Sequence, residues 1–153
     1  MKLGYACINM GFSNVPKSKR ITTNRSMIKR TFQARGIPYA SELALKNCTD
    51  LLKILKWNEE NDIKFFRMSS NLFPWASEYN LEQLPDYENI CYALMEAGDF
   101  ATNVGQRITS HPGPFNKLCA KDDRIVNNTI KELEHHSEIF DIMGFKPSYH
   151  NKI

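Results

Sequence analysis

Hydrophobic and polar positions follow two periods along this chain, and the periods take turns. Leu3, Tyr5 and Cys7 recur at every second position between Lys2 and Asn9, the repeat of a half-buried strand. Ile63-Lys64-Phe65-Phe66-Arg67-Met68 and Arg107-Ile108-Thr109-Ser110 read as two further short strands. Between them the spacing lengthens to three and four. Leu45, Cys48, Leu52 and Leu55, flanked by Leu51 and Ile54, mark the buried stripe of a helix opened by Pro38 and Ser41, with Ser41 as N-cap. It ends between Trp57 and Asn61. Ile90/Cys91, Leu94, Ala97/Gly98, Ala101 and Val104 predict a second helix from about Asp86 to Val104, with Gly105 suited to its C-terminal cap. A third begins at Asp122-Asp123, where negative charge favours a helix start, and runs to Gly144 with a stripe of Val126, Ile130, Leu133, Ser137 and Phe140.

This β-α-β-α-β-α order implies an α/β fold with parallel strands joined by crossovers. Three strands fall well short of the eight in a closed barrel. The last nine residues, Phe145 to Ile153, lead toward a fourth strand that the chain is not expected to supply. The 153 residues fit a single domain, interrupted by one polar, aperiodic stretch at about residues 11–40 that reads as a long loop.

Charge sharpens the view of that loop. Residues 1–41 hold eight lysines and arginines and no acid, so this segment carries +8 and the remainder −5 of a chain at net +3. Such asymmetry points to an anionic partner, with nucleic acid first, or else to a solvated basic loop. No apolar run reaches the length of a membrane helix, and the N-terminus lacks the apolar core of a secretory signal. Cys7, Cys48, Cys91 and Cys119 show no metal-finger or disulfide spacing. The expectation is an intracellular protein of the cytoplasm or nucleus, not a secreted one.

Candidate chemistry lies at the strand ends, where parallel α/β folds build their sites. Asn9, Ser69-Ser70-Asn71 and His111 stand there, and Pro112-Gly113-Pro114 then bars further regular structure before Phe115. His111 could be a metal ligand, a proton shuttle or a hydrogen-bonded structural residue. One imidazole cannot hold a divalent ion alone, and no carboxylate accompanies it at a strand end. His135 and His136 are adjacent, which is not the i, i+4 arrangement that aims two imidazoles at one ion, and His136 reads as a core-edge residue. For a nucleic-acid partner, Thr22-Thr23-Asn24-Arg25 offers short donors and a guanidinium for phosphate, and Tyr5, Phe12, Trp75 and Phe115 are aromatics near strand ends.

Taken in order, these motifs resemble the UV-damage endonuclease family. They are Leu3-Gly4-Tyr5-x-Cys7-x-Asn9, Thr22-Thr23-Asn24-Arg25, Asp50-Leu51-Leu52-x-Ile54-Leu55-x-Trp57-Asn58, and Ile63-x-Phe65 through Trp75. Arg107-Ile108-Thr109-Ser110-His111-Pro112-Gly113, Ile130-x-Glu132-Leu133-x-x-His136 and Met143-Gly144 complete the series. The resemblance implies an incomplete TIM-type (β/α) barrel of about three βα units, the N-terminal part of the family's length. It implies metal-dependent hydrolysis, with manganese as the expected ion, of double-stranded DNA 5′ to UV photoproducts. His111 becomes the expected metal ligand, and Tyr5, Asn9, Asn24, Arg25, Pro114 and Phe115 the expected DNA-binding positions. Pro114 stands where the family usually has glutamine, so the wedge at Phe115 is kept and a polar probe is lost. The family's other metal ligands belong to later strands. The chain is therefore expected to be a truncated or split endonuclease completed by a C-terminal half polypeptide, or alternatively an inactive remnant that at most binds DNA. No catalytic residue is assigned.

Overall fold

The computed structural model describes residues 3–153. Lys2, the expected start of the first strand, lies outside the described residues. Three short parallel strands, β1 (Gly4–Ala6), β2 (Phe65–Arg67) and β3 (Arg107–Thr109), stand in the order β1-β2-β3. Three helices follow them in turn: α1 (Lys29–Glu60), α2 (Tyr87–Asn103) and α3 (Asp123–Ile142).

Register explains why the sheet is one-sided. Tyr5, Phe66 and Ile108 are aligned across the three strands and join the core with Leu51, Ile54, Leu55, Ile90, Leu94 and Ala97 from the helices. The opposite face carries Gly4, Phe65 and Arg107 in one row and Ala6, Arg67 and Thr109 in the next. There Ala6 and Arg67 are exposed and Phe65 and Arg107 only half-buried. Gly4 is required at its place, because a Cβ there would come within 2.3 Å of the Phe65 ring.

The basic stretch is shorter than expected. Helix begins at Lys29, with Ile28 before it giving no side-chain cap, and breaks at Gly36 (φ 63°, ψ −159°) ahead of Pro38. Ser41 is therefore not an N-cap. Fully buried, its hydroxyl donates to Asp86 Oδ2 (2.8 Å) and accepts from the Asp86 N–H (3.0 Å), tying α1 to the start of α2. The stripe of α1 is also shifted: Leu45 and Leu52 are half-buried, while Asn47, Asp50 and Asn58 are buried. The second helix and its cap match the pattern, Gly105 adopting φ 67° just beyond it.

The fourth strand is begun after all. Thr109 pairs in parallel with Lys152, the Ser110 N–H donates to the Lys152 carbonyl (3.0 Å), and Arg107 Nε donates to the His150 carbonyl (2.8 Å). The tail thus covers the outer edge of β3.

Helix α2 meets the C-terminal end of α3 closely at Gly98. A Cβ there would lie 2.0 Å from the carbonyl oxygen of Met143. Backbone cannot yield as a flexible side chain would, so Gly98→Ala is expected to destabilise the fold by about 2 kcal/mol or more, as overpacking does. A denaturant melt with a midpoint equal to that of the unaltered chain would refute this reading of the contact.

Candidate functional site

Each strand hands over to a short polar turn at its carboxyl end. After β1, Cys7 adopts φ 63° while its N–H still donates to the Arg67 carbonyl (2.8 Å). Asn9 caps the following turn by accepting the Gly11 N–H at 2.8 Å, and its amide donates to the Tyr5 hydroxyl (2.8 Å), which donates to Asn58 Oδ1 (2.7 Å). After β2, Ser69 caps a turn at Ser70–Leu72, and its hydroxyl donates to Asn24 Oδ1 (2.8 Å).

After β3, the Pro-Gly-Pro loop is held down by α3. The Gly113 N–H donates to Glu132 Oε1, and the Lys117 N–H donates to Thr129 Oγ1 (2.9 Å). This is why the third helix buries a different stripe from the apolar one. Its inner face meets loop backbone and strand end, so Thr129, His135 and His136 are buried alongside Ile139 and Phe140, whereas Ile130 and Ser137 are exposed. Ser110 Oγ stands 2.9 Å from His136 Nδ1, and His136 Nε2 lies 3.9 Å from Glu132 Oε1.

His111, two residues past the end of β3, is half-buried. Its Nδ1 is 3.1 Å from the Pro112 carbonyl oxygen and its Nε2 3.5 Å from Cys7 Sγ. Phe115 projects from the tip of the loop and is 86% exposed. Beneath it lies a cleft of about 440 Å³, bounded by Asn71, Trp75, Pro114, Phe115, Glu132 and His135. Phe32 stacks on Trp75 at 5.4 Å, and the Trp75 indole N–H donates to the Met27 carbonyl (3.0 Å), so that wall of the cleft is anchored.

Of the seven expected site residues, Pro114 and Phe115 reach this cleft and His111 begins the loop that carries them. The other four are held by hydrogen bonds within the fold, and Asn9, Asn24 and Arg25 line a separate cleft. Asn9 is 6% exposed, with both ends of its amide engaged. The Tyr5 hydroxyl both donates and accepts, and burial pushes its phenol up to about 12. Asn24 accepts from Ser69 and from Asn71. Arg25 is the most heavily bonded of them, with its guanidinium turned to its own loop. It pairs with Asp50 (2.6 Å) and donates to the Thr22 (2.6 Å) and Arg20 (2.8 Å) carbonyls, so it clasps its own loop rather than presenting a fork to phosphate.

Sequence reasoning misses the residues that perform the clasping. Asn47, fully buried, donates to the carbonyls of Arg25 (3.0 Å), Asn71 (3.2 Å) and Leu72 (3.1 Å) and so binds two strand-end loops to α1. The signal is there as Asn47, Asp50 and Asn58, polar residues set at helical spacing within an apolar stripe.

The model of the UV-endonuclease UvdE family matches residues 1–153, the whole chain. The chain belongs to this family. A putative UV-damage endonuclease of Acanthamoeba polyphaga mimivirus is 33% identical over 95% of the chain and 43% of its own length. The UV-damage endonuclease of Schizosaccharomyces pombe is 32% identical over 93% of the chain and 23% of its length. The crystal structure of SacUVDE superposes with a TM-score of 0.77 at 27% identity, covering 95% of this chain and 46% of that one. The chain thus spans less than half the length of these relatives, and its three βα units form part of a TIM-type barrel.

The side chains in place do not match the family's expected metal. Among the described residues, no three His, Cys, Asp or Glu side chains converge to hold an ion. His111 has Cys7 beside it, and His136 is already bonded to Ser110. Zinc takes at least three protein ligands and manganese favours oxygen donors, so the described residues do not fit a manganese cluster, and no reaction step is drawn through one.

Burial, helped by the neighbouring charges of His136 and Lys131, lowers the His135 imidazole from its usual value to about 4. Burial also lowers His136, partly offset by Glu132. Both rings are therefore neutral at pH 7. A base depressed in the folded state takes its proton in the unfolded chain first, so stability is complete above about pH 6.5 and falls as pH drops toward about 4. For His135 the loss amounts to about 3 kcal/mol. Thermal melts between pH 7 and pH 4.5 should show a steeper decline for the unaltered chain than for His135→Phe; parallel curves would rule out this titration. Arg25→Ala should cost about 2 kcal/mol and open residues 13–27 to proteolysis, since it leaves the buried Asp50 carboxylate with only Lys53 and the Thr22 N–H as partners. An unchanged melting point would make Arg25 a candidate for DNA binding again.

Proposed function

We propose that this chain is the lesion-probing part of a UV-damage DNA endonuclease, acting on double-stranded DNA in the cell. It would be completed by a C-terminal half polypeptide that supplies the rest of the barrel. The observation that carries the reading is Phe115: a large apolar ring, 86% exposed, on a loop pinned at Gly113 and Lys117 beside an aromatic-walled cleft. An exposed, rigidly mounted ring suits wedging between stacked bases. The relatives' names support DNA as the substrate and UV damage as its defect. His111 is the position at which this part of the barrel would engage a divalent ion, manganese by family resemblance. In this chain the probe works by shape alone, because Pro114 brings no donor or acceptor side chain to the base edge.

A second reading, a DNA-binding remnant without cleavage, draws on the missing third metal ligand among the described residues. In both readings the basic N-terminal segment meets phosphate, through exposed Arg20 and Arg30 rather than Arg25.

Mixing the chain with a polypeptide covering the rest of the barrel should give manganese-dependent nicking of UV-irradiated duplex, and Phe115→Ala should lower it by about tenfold or more while leaving the melt unchanged. If no complement restores nicking, the remnant reading holds instead. Changing both Arg20 and Arg30 to Ala should weaken binding to all sequences and reduce the salt slope by about 1 for each phosphate that is no longer neutralised. A slope identical to that of the unaltered chain would place phosphate binding elsewhere on the surface.

A further inference from the structure

The outer sides of α1 and α2 enclose a groove of about 510 Å³ that serves neither the sheet nor the strand-end loops. Leu45, Leu52 and Lys56 border it from α1, and Tyr92, Ala93 and Glu96 from α2. Helical spacing sets each group on one face, turned from the side that carries Leu51, Ile54, Ile90 and Leu94 into the core. Apolar surface is left over here. Leu45 and Leu52 belong to the apolar stripe of α1 yet are only half-buried. Tyr92 is 64% exposed and Met95, beside Glu96 in sequence, is 53% exposed. Among the described residues, they are the only large apolar side chains on either helix left so open.

Charge is divided between the two banks of the groove. The α1 bank carries Lys56 and Lys53, and the Asp50 carboxylate that Lys53 meets is already shared with Arg25. Lys46 is balanced by Glu42, and Glu60, at the last position of α1, does not border the groove. The α2 bank carries Glu96, with Glu88 and Asp99 exposed along the same helix. Among the described residues, Lys56 and these three acids make no ion pair. Glu96 accepts only the Tyr92 hydroxyl, at 3.3 Å. One bank is therefore basic, the other acidic, and the floor between them apolar.

Such a surface complements itself. Strands β1 and β2 are parallel, so α1 and α2, which follow them, run the same way. A twofold axis laid along the groove sets α1 of one copy over α2 of the other, basic bank on acidic bank. An axis laid across it would set each helix on its own twin, like charge on like. We propose that this groove is an isologous interface through which two copies of the chain pair, Lys56 of each opposite Glu96 of the other and Tyr92 seated between the other copy's helices. Tyrosine suits that place, since its ring fills an apolar floor while its hydroxyl reaches the polar rim. The interface lies on the helical side, away from the uncovered sheet face, so pairing leaves room for the rest of the barrel. It does not rest on the nuclease reading, and its test contains no DNA.

Sedimentation equilibrium of the intact chain at rising concentration should reveal a species of twice the 17.7 kDa of one copy. Tyr92→Glu, Lys56→Glu and Glu96→Lys should each raise the dissociation constant about tenfold or more, because symmetry repeats every unfavourable contact. All three positions are exposed, so the circular dichroism of each variant should match that of the unaltered chain. The decisive arm is a mixture. Lys56→Glu chains and Glu96→Lys chains each oppose like charges in their own pairs, but together they restore opposite signs at both contacts. An equal mixture should therefore associate about as tightly as the unaltered chain. A single 17.7 kDa species at every concentration, a dimer that survives Tyr92→Glu, or a mixture that stays monomeric would each overturn the proposal.

Discussion

Phe66 lies fully buried at the centre of a ladder only three residues wide, hydrogen-bonded to β1 on one side and β3 on the other. Strands this short have few backbone bonds to hold their register, so register depends on side chains. The row Tyr5–Phe66–Ile108 under α1 and α2 supplies that hold, because a slip of one residue would turn Arg67 into the core. Everything at the carboxyl ends depends on this row. Cys7, Met68 and Ser110 leave the sheet at matching heights because the residues before them are locked in line.

Polar groups then convert strand ends into a fixed surface. Asn47 fastens two loops to α1, Arg25 and Asp50 close the basic segment on itself, and Thr129 with Glu132 secure the loop after β3. A buried amide or carboxylate is costly when unpaired and specific when paired, so each one ties a loop to a single position. Phe115 gains its exposure from this arrangement: the loop beneath it is too well bonded to fold inward over its own tip. The opposite sheet face, with Ala6 and Arg67 uncovered, is the side on which the rest of the barrel stands in a TIM-type fold.

The helices and strands are legible where burial is apolar. The second helix and its glycine cap agree with the pattern almost residue for residue, because Ile90, Leu94, Ala97 and Ala101 all join the apolar core. The third helix is misphased by the pattern for the opposite reason. Its buried face includes Thr129 and His136, which bond the loop after β3 and Ser110, and His135, which packs edge-on against Phe73, and hydrophobic periodicity is blind to that. The first helix is longer than its pattern suggests, since Gly36 and Pro38 look like an end but sit at a break between two helical pieces.

From residues alone come the alternation of strands and helices, the histidine at a strand end, the rigid Pro-Gly-Pro turn, and a family whose motifs run in order from Leu3 to Gly144. Those are local properties, set by side-chain period, by proline's fixed φ and by motif order. Which polar groups face outward is not local. Arg25, Asn9 and Tyr5 look like DNA contacts in sequence, yet Asp50, Gly11 and Asn58 take up their hydrogen-bonding groups. Only packing of distant segments could bring Asp50 and Asn58 close, and only it could set Cys7 against His111, 104 residues away along the chain.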